Sequence, residues 1–226
     1  MKNFSLLILF VFISLTAFCQ APISPEFQEL WDDFHFYKSK EGTSEITYKG
    51  SPFFEVEDNS CALTLLSNQE ISGLTIRYNI YKDQMEIKKD DQYYVISKQK
   101  ALPHIKLGSK HFFYTIYNDG NFKKTGYLEF LTGGVCTLFR QHGKVLIAAK
   151  QPKPFQEATP PTFRDKASVY YISIDNAYPT RVKNFKEIIS LLSPHSDAMT
   201  AYIKSNKLKF KKQEDLEKVI EFYNSL

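Results

Sequence analysis

The chain has 226 residues, of which 43% are hydrophobic, 15% aromatic and 24% charged, and its formal net charge at pH 7 is +4. This length and apolar content are enough for one sizeable domain, or for a domain with a helical appendage. A nucleic-acid-binding protein usually has a much larger basic excess concentrated on one face, so the small charge argues against nucleic acid as the partner.

The first nineteen residues have the pattern of an export signal. Lys2 supplies the positive start, residues 6–15 are almost wholly apolar, and Ala17 and Cys19 are small residues at the expected cleavage positions. We expect cleavage after Cys19, which leaves Gln20 at the mature N-terminus. Lys2 is the only charged residue removed, so the formal charge falls from +4 to +3.

The apolar run of the signal is shorter than the roughly 20 residues that a membrane-spanning helix needs. An uncleaved anchor is the alternative interpretation. No later segment is long and apolar enough to span a bilayer. The sequence therefore predicts an exported protein, located in the periplasm or at the cell surface, with no transmembrane segment once the signal is removed.

Two cysteines, Cys61 and Cys136, remain after cleavage. In an exported protein an even pair permits a disulfide. Both lie in apolar, strand-like runs, where a free cysteine behaves as a small hydrophobic residue. A Cys61–Cys136 disulfide and two free buried thiols are both consistent with this pattern.

A helix is predicted near the mature N-terminus. Ser24 is a suitable cap, Pro25 favours the first helical position, and Glu26 complements the positive end of the helix. Four apolar residues follow at helical spacing, namely Phe27, Leu30, Trp31 and Phe34. We expect this stripe, with the only tryptophan of the chain, to pack against a sheet.

The stretch from Leu74 to Lys88 alternates apolar and polar residues on both sides of Lys82-Asp83. Period-two alternation predicts strands with one buried and one solvated face. With a two-residue turn at Lys82-Asp83, Ile80 lies opposite Met85 and Tyr78 opposite Ile87, so the two apolar faces coincide. The pattern predicts a β-hairpin in this register.

Short strands separated by turn residues continue from about residue 45 to residue 150 without an intervening helical pattern, which predicts an antiparallel sheet. A proline-rich excursion follows at 151–165, and then another strand at 168–174. After Tyr178-Pro179 the apolar period changes to that of helices. The apolar positions of the three predicted helices are Val182, Phe185, Ile188, Ile189 and Leu192, then Met199, Tyr202 and Ile203, then Leu216, Val219, Ile220 and Tyr223.

The predicted fold class is therefore α+β and mainly β. An antiparallel meander forms a curved sheet or a partly open barrel, with the N-terminal helix and the C-terminal helical tail packed on it. The predicted divisions are a signal peptide at 1–19, a β domain with the N-terminal helix at 20–175, and the helical tail at 176–226.

No catalytic or metal-binding motif is evident. The five histidines are scattered and lack the three- or four-residue spacing that puts two metal ligands on one helix face. There is no Gly-x-Ser-x-Gly elbow, and Cys136 lies inside a predicted strand. Gly133-Gly134 is followed by no Lys-Ser/Thr pair, so it is interpreted as a turn rather than a phosphate cradle. The sequence predicts no cofactor and no metal.

The candidate ligand-binding residues lie on the first hairpin. Arg77, Asn79 and Glu86 share one predicted face, and Asp83 lies at the turn. A carboxylate beside a guanidinium can bind a polar ligand, and the two carboxylates could carry out acid–base chemistry. Ordinary cross-strand charge pairing explains the same residues equally well.

This hairpin also carries a family resemblance. Residues 77–81 read Arg-Tyr-Asn-Ile-Tyr, and Asp83, Met85 and Glu86 follow. Together with Tyr48-Lys49-Gly50-Ser51-Pro52 and the closing lysine-rich helical stretch that ends in Phe222-Tyr223-Asn224, this sequence resembles a group of exported, β-rich envelope proteins of Gram-negative bacteria. The resemblance implies export and a β-sheet with a helical tail, and it implies no catalytic residue.

The leading functional hypothesis is a non-enzymatic envelope protein that binds a ligand or another envelope protein. One alternative is a hydrolase using the carboxylate pair Asp83 and Glu86. The other is a purely structural interaction protein, which predicts a large exposed apolar patch and no concave aromatic pocket.

Overall fold

A computed structural model describes residues 25, 31, 36–39, 47–55, 60–64, 70–98, 104–149, 158–193 and 195–226. The predicted export signal, its cleavage site, the Ser24 cap and most of the first predicted helix lie outside these residues. Pro25 and Trp31 are both helical. The Trp31 ring stacks on Phe36 at 4.3 Å and meets Tyr94 edge-on at 4.8 Å, so it packs against a sheet as expected.

The described residues form fourteen strands and three helices. The strands are β1 Phe36–Lys38, β2 Cys61–Thr64, β3 Glu70–Ser72, β4 Ile76–Asn79, β5 Gln84–Lys89, β6 Gln92–Ile96, β7 His104–Leu107, β8 Lys110–Asp119, β9 Phe122–Thr132, β10 Cys136–Gln141, β11 Lys144–Ile147, β12 Thr162–Asp165, β13 Val169–Ile174 and β14 Thr180–Val182. The helices are α1 Phe185–Leu191, α2 Ser196–Ser205 and α3 Gln213–Asn224.

The predicted α+β class with a mainly antiparallel β body is confirmed. One sheet has four strands in the order β1-β6-β5-β4, and a second has eight in the order β14-β13-β10-β9-β8-β7-β2-β3. Strands β11 and β12 form a separate two-stranded sheet. No helix in the described part of the chain is long and apolar enough to cross a bilayer.

The eight-stranded sheet closes on itself, which corrects the predicted open sheet or partly open barrel. Strand β14 pairs with β13 on one side and, in parallel, with β8 on the other. Strands β8, β9, β10, β13 and β14 therefore form a closed five-stranded barrel, and β7, β2 and β3 extend beyond it. The closing contact joins Asn118 to the chain at Pro179, whose carbonyl accepts a 2.8 Å hydrogen bond from the Asn118 amide.

Strand β14 lies within the segment predicted as the helical tail, 176–226. Its three residues pair with β13 and β8, and α1 begins at Phe185. A three-residue strand is too short to show alternation, and Val182 fits a helical stripe equally well. The physical boundary between β body and helical tail therefore follows Val182.

The first hairpin forms, but its register differs from the predicted one by two residues. The pairs are Tyr78 with Met85 and Arg77 with Glu86. The turn has four residues, 80–83, because the Asn79 Oδ1 accepts from the Lys82 amide at 3.1 Å and Asp83 has a φ of 52°. A two-residue shift keeps every side chain on its predicted face.

Three apolar clusters hold the body together. Tyr117, Leu128 and Tyr171 pack inside the barrel. Its outer face at β8 and β9 packs against the four-stranded sheet, where the Tyr78 ring lies 5.3 Å from Phe112 and 5.7 Å from Tyr127. Cys136, Leu138, Tyr170 and Ile172, on the outer face at β10 and β13, are covered by the three helices.

Cys61 and Cys136 are both free and buried, so the candidate disulfide is not formed. They belong to different clusters, on the two sides of the barrel. The Cys61 thiol donates to the Ile76 carbonyl at 3.5 Å. Burial raises the pKa of the Cys136 thiol to about 12, so this sulfur stays protonated and acts as a core side chain.

Candidate functional site

Two of the four candidate ligand-binding residues form a closed structural pair. Arg77 Nε lies 2.7 Å from Glu86 Oε2, and Ser39 donates to the other carboxylate oxygen at 3.1 Å. The guanidinium lies between the Phe53 and Tyr93 rings, 4.1 and 3.4 Å from their centroids. Glu86 is only 1% exposed. Glu86 is therefore buried and engaged by Arg77 and Ser39, while the Arg77 side chain is 22% exposed.

The other two candidate residues have separate partners. Asn79 is buried and holds the hairpin turn through the bond to Lys82. Asp83 accepts from the Tyr78 hydroxyl at 2.7 Å and pairs with Lys98 at 2.9 Å. Burial raises the pKa of Tyr78, and the neighbouring Asp83 charge adds to this effect. The partners described for Asp83, Tyr78 and Lys98, differ from those of Glu86, and Asp83 lines a pocket.

That pocket, of about 360 Å³, lies where the barrel interior meets the hairpin turn and β11. We call it the barrel-mouth pocket. Its lining residues are Ile80, Tyr81, Asp83, Tyr117, Gln141, His142, Gly143, Lys144, Lys166, Ala167 and Val169. Residues from the hairpin, the barrel and the β11–β12 sheet meet only in the folded chain, so no local motif marks this site.

A chain of hydrogen bonds forms the inner wall. Gln141 Nε2 donates to the Tyr117 hydroxyl at 2.7 Å, and the Tyr171 hydroxyl donates to Gln141 Oε1 at 3.0 Å. Tyr117 and Gln141 reach the interior because alternate residues of β8 and β10 point inward. The amide of Gln141 keeps a second hydrogen, and the Tyr117 hydroxyl hydrogen has no acceptor among the described residues. Both are available to a ligand.

His142 is held by a buried carboxylate. Its Nε2 lies 2.5 Å from Glu129 Oε2, which Arg140 NH2 also contacts at 2.6 Å. Burial alone would raise the pKa of Glu129, but the His142 hydrogen bond and the Arg140 charge outweigh it and hold the pKa below its ordinary value. The ionised carboxylate can only accept, so the His142 Nε2 carries the hydrogen of this bond.

Two lysines line the outer part of the pocket. Lys144 pairs with Asp165 at 3.0 Å across β11 and β12. Lys166 has no carboxylate partner within the described ranges, and its amide donates to the Gly143 carbonyl at 2.8 Å. A Cβ on Gly143 would lie 3.4 Å from the Lys166 side-chain carbons. The small residue at 143 thus lets Lys166 lie close over the pocket.

Three aromatic rings adjoin the pocket, and we call them the aromatic ledge: Tyr81, Phe163 and Tyr48. The Phe163 ring lies 5.4 Å from Tyr81 and 5.5 Å from Tyr48. The two tyrosines are 46% and 40% exposed, so each offers part of its ring to solvent. Aromatic rings in such positions commonly contact apolar faces of ligands.

The segment before the hairpin fixes the ledge. Lys49 exchanges backbone hydrogen bonds with the Pro161 carbonyl, at 2.9 Å, and the Phe163 amide, at 2.8 Å. Gly50 has a φ of 76°, and a Cβ there would lie 2.8 Å from the Phe163 carbonyl oxygen. The Pro52 carbonyl then accepts from the Ile80 amide at 3.0 Å. The segment therefore ties β12 to the hairpin turn.

Asp83, a predicted ligand-binding residue, lines this pocket, and its other lining residues were not among the predicted ones. Gln141 and Lys166 have no local signal, because only the closed barrel brings them together. His142 was interpreted as a turn residue, and nothing in its neighbourhood along the chain indicates that Glu129 lies beside it. Glu129 and Arg140 lie directly opposite each other on β9 and β10. With the correct register of these two strands, the sequence would have predicted this ion pair.

Two of the histidines do meet in the fold. His104 Nε2 and His111 Nδ1 lie 2.5 Å apart on β7 and β8, and burial lowers the pKa of both. Within the described residues, no group of three or more His, Cys, Asp and Glu side chains could hold a metal ion.

Comparison with known proteins gives no relative. No family model, no curated protein and no solved structure matches this chain. The function must therefore be argued from the site itself.

Proposed function

We propose that this is an exported protein of the Gram-negative envelope that binds a small polar ligand in the barrel-mouth pocket without transforming it. The observation that carries the proposal is the convergence of Tyr117, Gln141 and Lys166 on one concave site of about 360 Å³. This volume lies within the usual range for small-molecule pockets. Export and the envelope location rest on the signal-like N-terminus and on the resemblance of the hairpin.

The hydrolase alternative has less support. Glu86 forms an ion pair with Arg77, whereas Asp83 forms a separate ion pair with Lys98. A pair of carboxylates that acts on one bond must face the same substrate.

The purely structural alternative predicts an open surface without a concave aromatic site. The barrel-mouth pocket and its aromatic ledge favour ligand binding over that alternative. The ledge also carries two of the large exposed side chains of the described surface, Tyr48 and Tyr81, so it is one surface that a protein partner of the envelope would contact.

Backbone NMR of the mature chain, residues 20–226, tests the proposal. Titration with a panel of neutral sugars, sugar acids and simple carboxylates should shift the amides of Gln141, Gly143 and Ala167. Shifts centred on Arg77 and Glu86 instead would move the site to the hairpin face. A panel that shifts no amide in the pocket contradicts the proposed function.

Export is tested separately by expression of the full chain in a Gram-negative host. The mature protein should appear outside the cytoplasm with Gln20 at its N-terminus, as measured by intact mass. Retention of the full-length mass in the cytoplasmic fraction contradicts the proposed location and leaves the pocket assignment standing.

A further inference from the structure

The polar groups of the barrel-mouth pocket are mainly hydrogen-bond donors. Tyr117 keeps its hydroxyl hydrogen, Gln141 keeps one amide hydrogen, and the Lys144 and Lys166 ammonium groups carry three hydrogens each. The acceptors are largely occupied, because Asp83 already accepts from Tyr78 and Lys98. A donor-rich pocket is complementary to a ligand rich in acceptor oxygens.

The charges of the pocket favour a ligand with one negative group. Asp83 is matched by Lys98, and Lys144 is matched by Asp165. The carboxylate of Glu129 is engaged by Arg140 behind His142. Lys166 is the pocket cation left without a carboxylate partner among the described residues. A carboxylate beside its ammonium group would form a charge-assisted hydrogen bond.

The aromatic ledge provides an apolar surface that complements the apolar face of a ligand. The Tyr81 ring lines the pocket and is held in place by the edge-on Phe163 ring at 5.4 Å. A half-exposed, fixed aromatic ring offers a flat apolar face. The C–H face of a pyranose ring fits such a surface, while its hydroxyl oxygens can accept from Tyr117 and Gln141.

We propose that the ligand is an acidic sugar, a pyranose ring bearing a carboxylate, with the ring against Tyr81 and the carboxylate beside Lys166. This inference rests on the proposed ligand-binding function and names its ligand class. The sugar can be a free monosaccharide or a residue of a polysaccharide, since the pocket opens to solvent beside the ledge.

Calorimetry with galacturonate, glucuronate and their neutral parents, galactose and glucose, tests the class. At least one sugar acid should bind about tenfold or more tightly than its neutral parent, the difference expected for one charge-assisted contact. Acetate and inorganic phosphate serve as anion-only probes and should bind more weakly than that sugar acid. Oligosaccharides of the preferred sugar acid distinguish the two sources of the ligand. If the natural ligand is a polysaccharide residue, the oligosaccharide should bind at least as tightly as the monosaccharide. If it is a free monosaccharide, the oligosaccharide should bind more weakly.

Two variants assign the roles. Lys166→Met should remove the preference for the acid over its neutral parent, whereas Tyr81→Ala should weaken both sugars about equally. Lys186→Met, an exposed lysine on α1, and Tyr37→Ala, a similarly exposed aromatic on β1, are the matched controls and should leave both affinities unchanged.

The outcomes separate the two proposals. Three results overturn the acidic-sugar inference while pocket binding stands. They are equal affinity for the acid and its neutral parent, an unchanged preference for the acid in Lys166→Met, and acetate binding as tight as that of the sugar acid. The absence of binding by every probe, together with unshifted pocket amides, overturns both.

Discussion

At the scale of single residues, the buried carboxylate of Glu129 is the most consequential charge in the described structure. It is 1% exposed and accepts from Arg140 at 2.8 Å and from His142 at 2.5 Å through the same oxygen. Lys110 lies 3.7 Å from its other oxygen, which makes no hydrogen bond to a described residue. Burying such a group is tolerable only while its cationic partners remain in place.

We predict that stability falls at acid pH through Glu129. Its folded-state pKa is below the ordinary value of 4.5, so the carboxylate contributes stability above that pH and loses it as the pH falls through the folded-state pKa. Glu129→Gln should cost about 3–5 kcal/mol at pH 7, because Arg140 is left without its buried partner. The variant should also show a shallower loss of stability as the pH falls below 4.5.

Urea unfolding measured by circular dichroism across this pH range checks the prediction. Glu221→Gln is a suitable control, since Glu221 is an exposed carboxylate on α3. A parallel pH dependence in Glu129→Gln and in the unaltered protein would show that other carboxylates dominate the acid transition.

A second prediction at this scale concerns the thiols. Because Cys61 and Cys136 are free, buried and on opposite sides of the barrel, the mature protein should contain two thiols and no disulfide. Ellman's reagent at pH 8 should react slowly with the native protein and should titrate two thiols after denaturation. Rapid native labelling, or a mass gain of two hydrogens on reduction, contradicts this result.

At the scale of elements, one side chain of α3 bonds directly to the backbone of the barrel. Asn224 Oδ1 accepts from the Cys136 amide at 2.8 Å, and Asn224 Nδ2 donates to the Cys136 carbonyl at 2.8 Å. This amide therefore replaces a neighbouring strand at the start of β10. Gly134 lies against it, since a Cβ there would lie 2.7 Å from the Asn224 side chain.

Asn224→Ala should lower the free energy of unfolding by about 1–3 kcal/mol, because both backbone groups of Cys136 lose their partner where α3 covers them. Asn121→Ala, in the exposed β8–β9 turn, is the matched control and should change stability by less than about 0.5 kcal/mol. Chemical unfolding of the three proteins gives the comparison. Equal stability of the two variants would show that water substitutes for the Asn224 amide.

The elements also show how far the sequence predicts the fold. The alternation at Tyr78 and Met85 gives the correct buried face, and both residues are at most 1% exposed. The register was wrong by two, because Ile80 has the apolar character of a strand residue but lies in the turn. Turn length depends on the Asn79 side-chain bond and on the segment at Pro52, which are tertiary features.

The site was less predictable than the fold for a related reason. Arg77 and Glu86 form a pattern that a ligand site and a structural pair produce equally, and only their burial between Phe53 and Tyr93 distinguishes the two. Lys166 and Gln141 lie on separate elements with ordinary sequences around them. Their proximity depends on barrel closure, which a three-residue strand brings about without a detectable pattern.

At the scale of the whole molecule, the barrel depends on the distant part of the chain that supplies β14. Its pairings with β8 and β13 join residues 118 and 180, which are far apart in sequence. A chain that ends at residue 176 lacks β14 and all three helices, and so leaves Cys136, Leu138 and Ile172 uncovered.

We predict that a truncation after residue 176 does not fold, whereas a chain ending at residue 224, which keeps α3 through Asn224, does. The truncated chain should lack the dispersed amide spectrum of the full mature protein. A cooperative unfolding transition in the 20–176 fragment would show that the β body is stable without its closing strand and helices.

The position of β14 has a consequence for the export proposed above. A chain that must pass through a narrow channel cannot do so once its tertiary structure has formed, and β14 follows every other barrel strand along the chain. On that proposal, the barrel closes only after residues 180–182 have reached the far side of the channel.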